Sequence, residues 1–222
     1  MDFEPSYIYH IYNRGNNNQK IFYQPKNYLF FLKKVKTSFL TYCDILAYCL
    51  MPNHFHLMIK VKEDYLSDEL ESSDKAFRNI EPLNRTIATL LSSYTKAINN
   101  QEGKTGSLFQ QRTKAKCLTD HYYIDYPLFC FYYIHQNPVR AKLVHKIEDW
   151  QYSSFNEYLG KSNINICSIE IAYKLLDLPD KKDDFYKESY FDIPKHKLKG
   201  LLWRYSSDEP KSSDEAKLFS YS

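Results

Sequence analysis

Met51-Pro52-Asn53-His54-Phe55-His56-Leu57-Met58-Ile59-Lys60 is the stretch from which the rest of this chain is read. Pro52-Asn53 breaks an extended run and starts another. From there Phe55, Leu57, Ile59 and Val61 recur at every second position, the period of a strand with one face turned to a core. His54 and His56 then share the opposite face, roughly 6.6 Å apart at a rise of about 3.3 Å per residue. Two readings of that pair stay open on spacing alone. The rings can ligate one divalent metal, or they can be half-buried, hydrogen-bonded histidines at the edge of a core.

Working outward, Tyr7-Ile8-Tyr9-His10-Ile11-Tyr12 reads as a first strand, ended by the turn Asn13-Arg14-Gly15-Asn16. Tyr28, Phe31, Leu32, Val35 and Phe39 repeat at helical intervals and predict a helix over about 26–40. A second strand over about 44–50 leads through Pro52-Asn53 to the histidine strand. Residues 63 to 82 are charged and irregular, an exposed excursion. Leu83, Ile87, Leu90, Leu91, Tyr94 and Ile98 then predict a helix over about 82–99. Residues 108–118 look extended, with Arg112, Lys114 and Lys116 alternating onto one face as a phosphate rail or as an ordinary solvated strand face. The order βαββαβ is the ferredoxin-like split unit of an α+β fold, with its helices on one sheet face and the other face open to a ligand such as DNA.

Beyond this unit, Tyr132-Tyr133-Ile134-His135-Gln136-Asn137-Pro138 closes a helix expected over about 125–136. Tyr133 and Asn137 are four residues apart, so on a helix they stack on one face with Cβ atoms about 5–6 Å apart. A tyrosine nucleophile beside a third, amide metal ligand is one reading. The other is a half-buried aromatic in a helix closed by Asn137 and stopped by Pro138. Trp150, Tyr152, Phe155 and Tyr158 can pack back on the sheet, Ile169, Ala172, Tyr173 and Leu176 suggest a further helix, and residues 206–215 are polar enough for a disordered tail. The expected division is a main domain over 1–160 and a helical appendage with that tail over 161–222.

A length of 222 residues allows one domain with a substantial core plus an appendage. No apolar run is long enough for a bilayer, and the first residues lack the regions of a secretion signal, so a cytoplasmic protein is expected. The five cysteines are odd in number and widely spaced, which argues against both a disulfide framework and a zinc ribbon. A net charge of +3 is too slight to indicate nucleic acid, which requires a local basic patch. The 21 tyrosines and 14 phenylalanines suit stacking on unpaired bases and also suit an aromatic-rich core.

Taken together, these segments resemble the single-tyrosine HUH endonucleases (His-hydrophobic-His), in particular the REP-associated tyrosine transposases and their insertion-sequence relatives. The resemblance runs from about residue 7 to 158. Its blocks, in the family's order, are Tyr12-Asn13-Arg14-Gly15-Asn16, Met51-Pro52-Asn53-His54-Phe55-His56, Gly106-Ser107-Leu108-Phe109-Gln110-Gln111-Arg112, the stretch from Tyr133 to Ala141, and Trp150-Gln151-Tyr152-Ser153-Ser154-Phe155. It implies the HUH endonuclease fold and a Mg²⁺ or Mn²⁺ ion on His54, His56 and Asn137. It further implies Tyr133 as nucleophile, a 5′-phosphotyrosine intermediate, and single-stranded, hairpin-forming DNA as substrate. Arg14, Arg112, Lys114 and Lys116 are the candidates for DNA phosphates.

Insertion-sequence relatives usually carry Gln four residues after the nucleophile, so the pair Tyr132 and Gln136 competes with Tyr133 and Asn137. Ile134 after Tyr133 matches the family pattern and favours the second pair. Those relatives swap the tyrosine helix within a homodimer, whereas REP-associated relatives can work as monomers; both arrangements are open here. The competing functions are a domesticated protein that binds hairpin DNA without cutting it, and a metal hydrolase that uses only the histidine pair.

Overall fold

The structure is a computed structural model that describes residues 1–64, 82–119, 125–194 and 197. The excursion expected after residue 63 lies almost wholly outside the described residues, and the polar tail lies wholly outside them. The elements of the first part are β1 (Ile8–Arg14), α1 (Pro25–Phe39), β2 (Cys43–Met51), β3 (His54–Val61), α2 (Pro82–Glu102) and β4 (Lys114–Cys117). The strands form one sheet in the order β2-β3-β1-β4, and each neighbouring pair is antiparallel. This is the ferredoxin-like α+β arrangement that the element order predicts.

One sheet face carries Tyr9 and Ile11 of β1, Ile45, Tyr48 and Leu50 of β2, and Phe55, Leu57, Ile59 and Val61 of β3. These pack with Phe31, Leu32, Val35 and Phe39 of α1 and Leu83, Ile87, Leu90, Tyr94 and Ile98 of α2. β2 switches parity at a bulge between Ile45 and Ala47, so its core-facing positions pass from odd-numbered to even-numbered residues. The bulge frees the carbonyl of Leu46 from the ladder, and the Tyr158 hydroxyl donates to it.

The opposite face is not left open. α3 (Tyr126–Arg140) lies across β2 and β3 on that side, because Met58, Ala47, Cys49 and Met51 bring apolar groups there that need cover. α3 also runs through Pro138, where a stop was expected. Proline supplies no N–H for the carbonyl of Ile134, and the side-chain amide of Asn137 reaches that oxygen at 3.5 Å and the oxygen of Tyr133 at 2.9 Å. The expected strand over 108–118 shortens to β4, so Arg112 does not share a strand face with Lys114 and Lys116. Its first half is held by side chains instead: Leu108 and Phe109 enter the core, and the buried Asn13 amide donates to Gln110 O at 3.1 Å and to Thr113 Oγ1 at 2.9 Å.

The remaining elements are α4 (Phe155–Tyr158), α5 (Ile169–Leu176) and α6 (Lys182–Ser189). The first compact unit spans Met1–Asp192, so residues 161 to 192, grouped by sequence with the appendage, fold with the sheet. In the second unit, Ile193–Ser222, the Lys197 N–H donates to Pro194 O at 2.9 Å. No helix among the described residues is long and apolar enough to cross a membrane.

Residues 150–168 close the outer edge of β2. Leu50 N–H donates to Tyr152 O, Ser154 N–H to Tyr48 O, and Ser168 N–H to Ile45 O, each at 2.9 Å. Glu157, 4% exposed, anchors the segment by accepting from the Tyr48 hydroxyl at 2.8 Å and from the N–H groups of Ile166 and Cys167 at 2.8 and 3.0 Å. Glu157→Ala strands all three donors and is expected to cost about 2–4 kcal/mol in urea unfolding. A loss below about 1 kcal/mol would show that this carboxylate is not the anchor.

Candidate functional site

The face beneath α3 gathers the even-numbered residues of β1 and β3. Antiparallel pairing sets Arg14 opposite His54, Tyr12 opposite His56 and His10 opposite Met58. His10 is thus the diagonal neighbour of His56, within reach of an aromatic side chain. The two rings stack at 5.0 Å and 24°, with His10 Nε2 2.9 Å from His56 Nδ1. His54 and His56 lie 5.0 Å apart, centroid to centroid. Above them Tyr133 projects from α3, its ring 5.7 Å from that of His56 and 6.4 Å from that of His10.

Neighbouring Tyr132 points elsewhere. Its hydroxyl donates to Glu188 at 3.0 Å, and Gln136 donates to Ser189 O and Phe191 O at 3.0 and 2.9 Å, so this second tyrosine-amide pair serves α6 and the residues after it. Successive helix residues are about 100° apart, and one tyrosine faces the histidines while the next faces the helical segment.

Hydrogen bonds set how the imidazoles present themselves. His54 Nδ1 lies 2.6 Å from Asn53 Oδ1, which can only accept, so His54 carries its hydrogen on Nδ1 and a lone pair on Nε2. Asn53 is itself oriented, because its Nδ2 donates to Asn18 Oδ1 at 3.0 Å. His56 Nε2 is buried and has no hydrogen-bond partner. Among the described residues, no group of three or more His, Cys, Asp or Glu side chains could hold a metal ion. Asn137 follows Tyr133 by four residues on α3. The nitrogen of its side-chain amide is turned back to its own helix and donates to Tyr133 O at 2.9 Å, a bond that does not engage the amide oxygen.

Desolvation dominates the electrostatics. It lowers the pKa of His10 to about 3, with the charge of Lys116 adding, and that of His54 to about 3, with Arg14 adding. His56 is lowered well below its ordinary value by burial and then by its two histidine neighbours. The same dryness pushes the Tyr133 phenol up, with Cys130 contributing, while the charge of Arg140 and a side-chain hydrogen bond from Asn137 pull it down.

The four candidate cations are placed differently from one another. Arg14 is half-buried beside His54, Lys114 is exposed on β4 opposite Tyr12, and Arg112 is exposed ahead of that strand. Lys116 donates to the Tyr126 hydroxyl and sits over that ring, 4.7 Å from its centroid, so it is engaged with the first turn of α3. Sequence reasoning passed over His10, and it used Asn53 only as a turn residue. The parity of His10 with Tyr12 and Arg14 was visible, but its meeting with His56 depends on strand pairing.

No family model matches the sequence, and no curated protein matches it. Among solved structures the chain is similar to that of a REP-associated tyrosine transposase bound to a REP hairpin, with a TM-score of 0.50 and 18% identity over 74% of this chain and 87% of the other. At that identity the likeness is one of fold.

Burial of neutral imidazoles makes stability depend on pH. His10, His56 and His135 are at most 4% exposed, and all three have lowered pKa values, with His10 and His135 at about 3. Unfolding returns each to about 6.5, so the unfolded chain binds more protons below that pH. Stability from these groups is complete above about pH 7 and is lost as pH falls through 6.5 towards 3, by on the order of 1–2 kcal/mol per histidine at pH 5. The urea midpoint is expected to drop between pH 7.5 and pH 5; an unchanged midpoint would contradict the neutral burial of these rings.

Proposed function

We propose that the chain is a transposase-type endonuclease that cleaves and rejoins single-stranded, hairpin-forming DNA through a covalent 5′-phosphotyrosine at Tyr133. The observation that carries this reading is the approach of Tyr133 to within 5.7 Å of His56, ring to ring, beside His54 and one helical turn from Asn137. Its neighbour in fold, a tyrosine transposase bound to a hairpin, supports the same substrate class.

The site's own chemistry fits a divalent ion. Asn53 fixes a lone pair on His54 Nε2, and the buried His56 Nε2 lacks any partner. His54, His56 and Asn137 would hold Mg²⁺ or Mn²⁺, and the mixed nitrogen and oxygen set favours Mn²⁺ as the probe. When bound, the ion supplies Lewis-acid polarisation of a non-bridging phosphate oxygen.

Tyr133 supplies the nucleophile. Its oxygen forms a bond to phosphorus as the bond from phosphorus to the 3′ oxygen breaks, leaving a 5′-phosphotyrosine and a free 3′-OH. The phenol gives up one proton and the departing oxygen takes one up. Because the ester stays on the enzyme, a second 3′-OH can reverse the step and join strands without ATP. Arg140 and Asn137 oppose the effect of burial and ease loss of the phenol proton. Arg14, Arg112 and Lys114 offer positive charge to the DNA backbone, which positions the strand without reading its sequence. Lys116, held against Tyr126, completes that edge of the site. Tyr133 reaches the histidines of its own chain, which supports a nucleophile acting in cis; a homodimer that exchanges α3 is the alternative arrangement.

Incubation with labelled hairpin-bearing single-stranded DNA and Mn²⁺ is expected to give a covalent protein–DNA band on a denaturing gel. The band disappears in Tyr133→Phe, persists in Tyr132→Phe, and falls by at least about 100-fold in His56→Ala. Tight binding with no band under either metal would instead establish a hairpin-binding protein that does not cut. Cleavage that survives Tyr133→Phe would establish a metal hydrolase.

A further inference from the structure

The third histidine of this face has no part in the proposed chemistry, yet it is fully buried at the centre of the site. His10 is 0% exposed, flanked by Tyr12 at 4.7 Å, His56 at 5.0 Å and Tyr133 at 6.4 Å between ring centroids. Its Nε2 is aimed at Nδ1 of His56, on the side of that ring away from the unpartnered Nε2. A hydrogen bond between two imidazole nitrogens needs one hydrogen between them, and its location decides what the far nitrogen of His56 can do. If His10 donates, neutral His56 carries its own hydrogen on Nε2 and has no lone pair there. If His56 donates, Nε2 presents a lone pair, the form a metal requires.

We propose that His10 is a positioning residue for His56: it accepts a hydrogen bond from His56 Nδ1, and so holds that ring in the orientation and tautomer that turn a lone pair from Nε2 into the metal site. This rests on the reading of His54 and His56 as metal ligands. His54 supplies an independent parallel on the same strand, since the acceptor-only Asn53 Oδ1 imposes the same tautomer on it. Each histidine of the pair thus has its own outer partner, an amide for one and an imidazole for the other. His10 differs from Asn53 in having a nitrogen that can either donate or accept, so it fixes the tautomer only while its own hydrogen sits on Nδ1.

Two measurements test this on the full-length protein. Imidazole nitrogen shifts of the wild type are expected to show His56 protonated at Nδ1 and unprotonated at Nε2; a His56 carrying its hydrogen on Nε2 would overturn the proposal, whatever the metal does. Mn²⁺ binding, followed by titration calorimetry, is expected to weaken about 10–100-fold in His10→Phe, which keeps an aromatic ring but offers no acceptor. His10→Gln, whose amide oxygen can accept, should restore most of that loss. Wild-type affinity in His10→Phe would overturn the proposal, as would a folded His10→Gln that binds no better than His10→Phe. Failure of the metal reading looks different: wild-type protein would bind no Mn²⁺, or would bind it equally well in His54→Ala and His56→Ala, with the tautomer result still standing on its own.

Discussion

The in-register pairing of β1 with β3 is the constraint on which the site depends. Side chains alternate across a sheet, and the face beneath α1 and α2 claims Tyr9, Ile11, Phe55, Leu57 and Ile59 for the core. Every even-numbered residue of the two strands is thereby sent to the other face, and the pairs Arg14 with His54 and Tyr12 with His56 follow. A slip of one residue in either strand would bury the wrong set, so the hydrophobic core specifies the register that assembles the polar site. Gly15, just beyond β1, helps to end the pairing where it does. A Cβ there would meet Gln19 O at 2.2 Å, so only glycine lets the following turn fold back this closely.

Covering that second face with α3 has opposed effects on the groups beneath it. Removing water keeps the imidazoles neutral, with lone pairs ready for a ligand, and it also keeps the Tyr133 phenol protonated. In the proposed reading, such a site would have its metal ligands prepared and its nucleophile restrained. Positive charge is what relieves the restraint, and in the protein Arg140 provides some of it. On the same proposed reading, a cation held by the histidines would act in the same direction, since positive charge near a phenol favours its ionised form.

Much of this was legible in the sequence, and the exceptions share a cause. Strands and helices around a single core face show as periods of two or of three to four. The helix expected over 26–40 is found at Pro25–Phe39, and the strand expected over 44–50 at Cys43–Met51. The segment ahead of β4 has the same alternation but is fixed by the Asn13 side chain, and a period cannot tell a ladder from such a clasp. Pro138 looked like a stop because the Asn137 amide that stands in for the missing N–H is a side-chain matter. The local sequence of β1 gives His10 no role. Its role exists only once a strand more than forty residues later is laid beside it.

The helical segment after residue 160 supplies none of the proposed site residues, yet among the described residues it bears on where Tyr133 points. α3 carries two similar tyrosine-amide pairs on adjacent sides, Tyr132 with Gln136 and Tyr133 with Asn137. The choice between them is made by α6 and the residues that follow it. Glu188 takes the Tyr132 hydroxyl, and the carbonyls of Ser189 and Phe191 take Gln136. With about 100° between consecutive residues, holding Tyr132 on that side turns Tyr133 towards the histidines. α6 is braced in turn by Phe185, stacked on Phe155 at 5.8 Å and on Tyr158 at 5.7 Å. Both rings belong to the segment whose Glu157 is bound to β2. The direction of the Tyr133 side chain is therefore fixed from the sheet outward, by a path through α4 and α6 that returns to α3 from its far side.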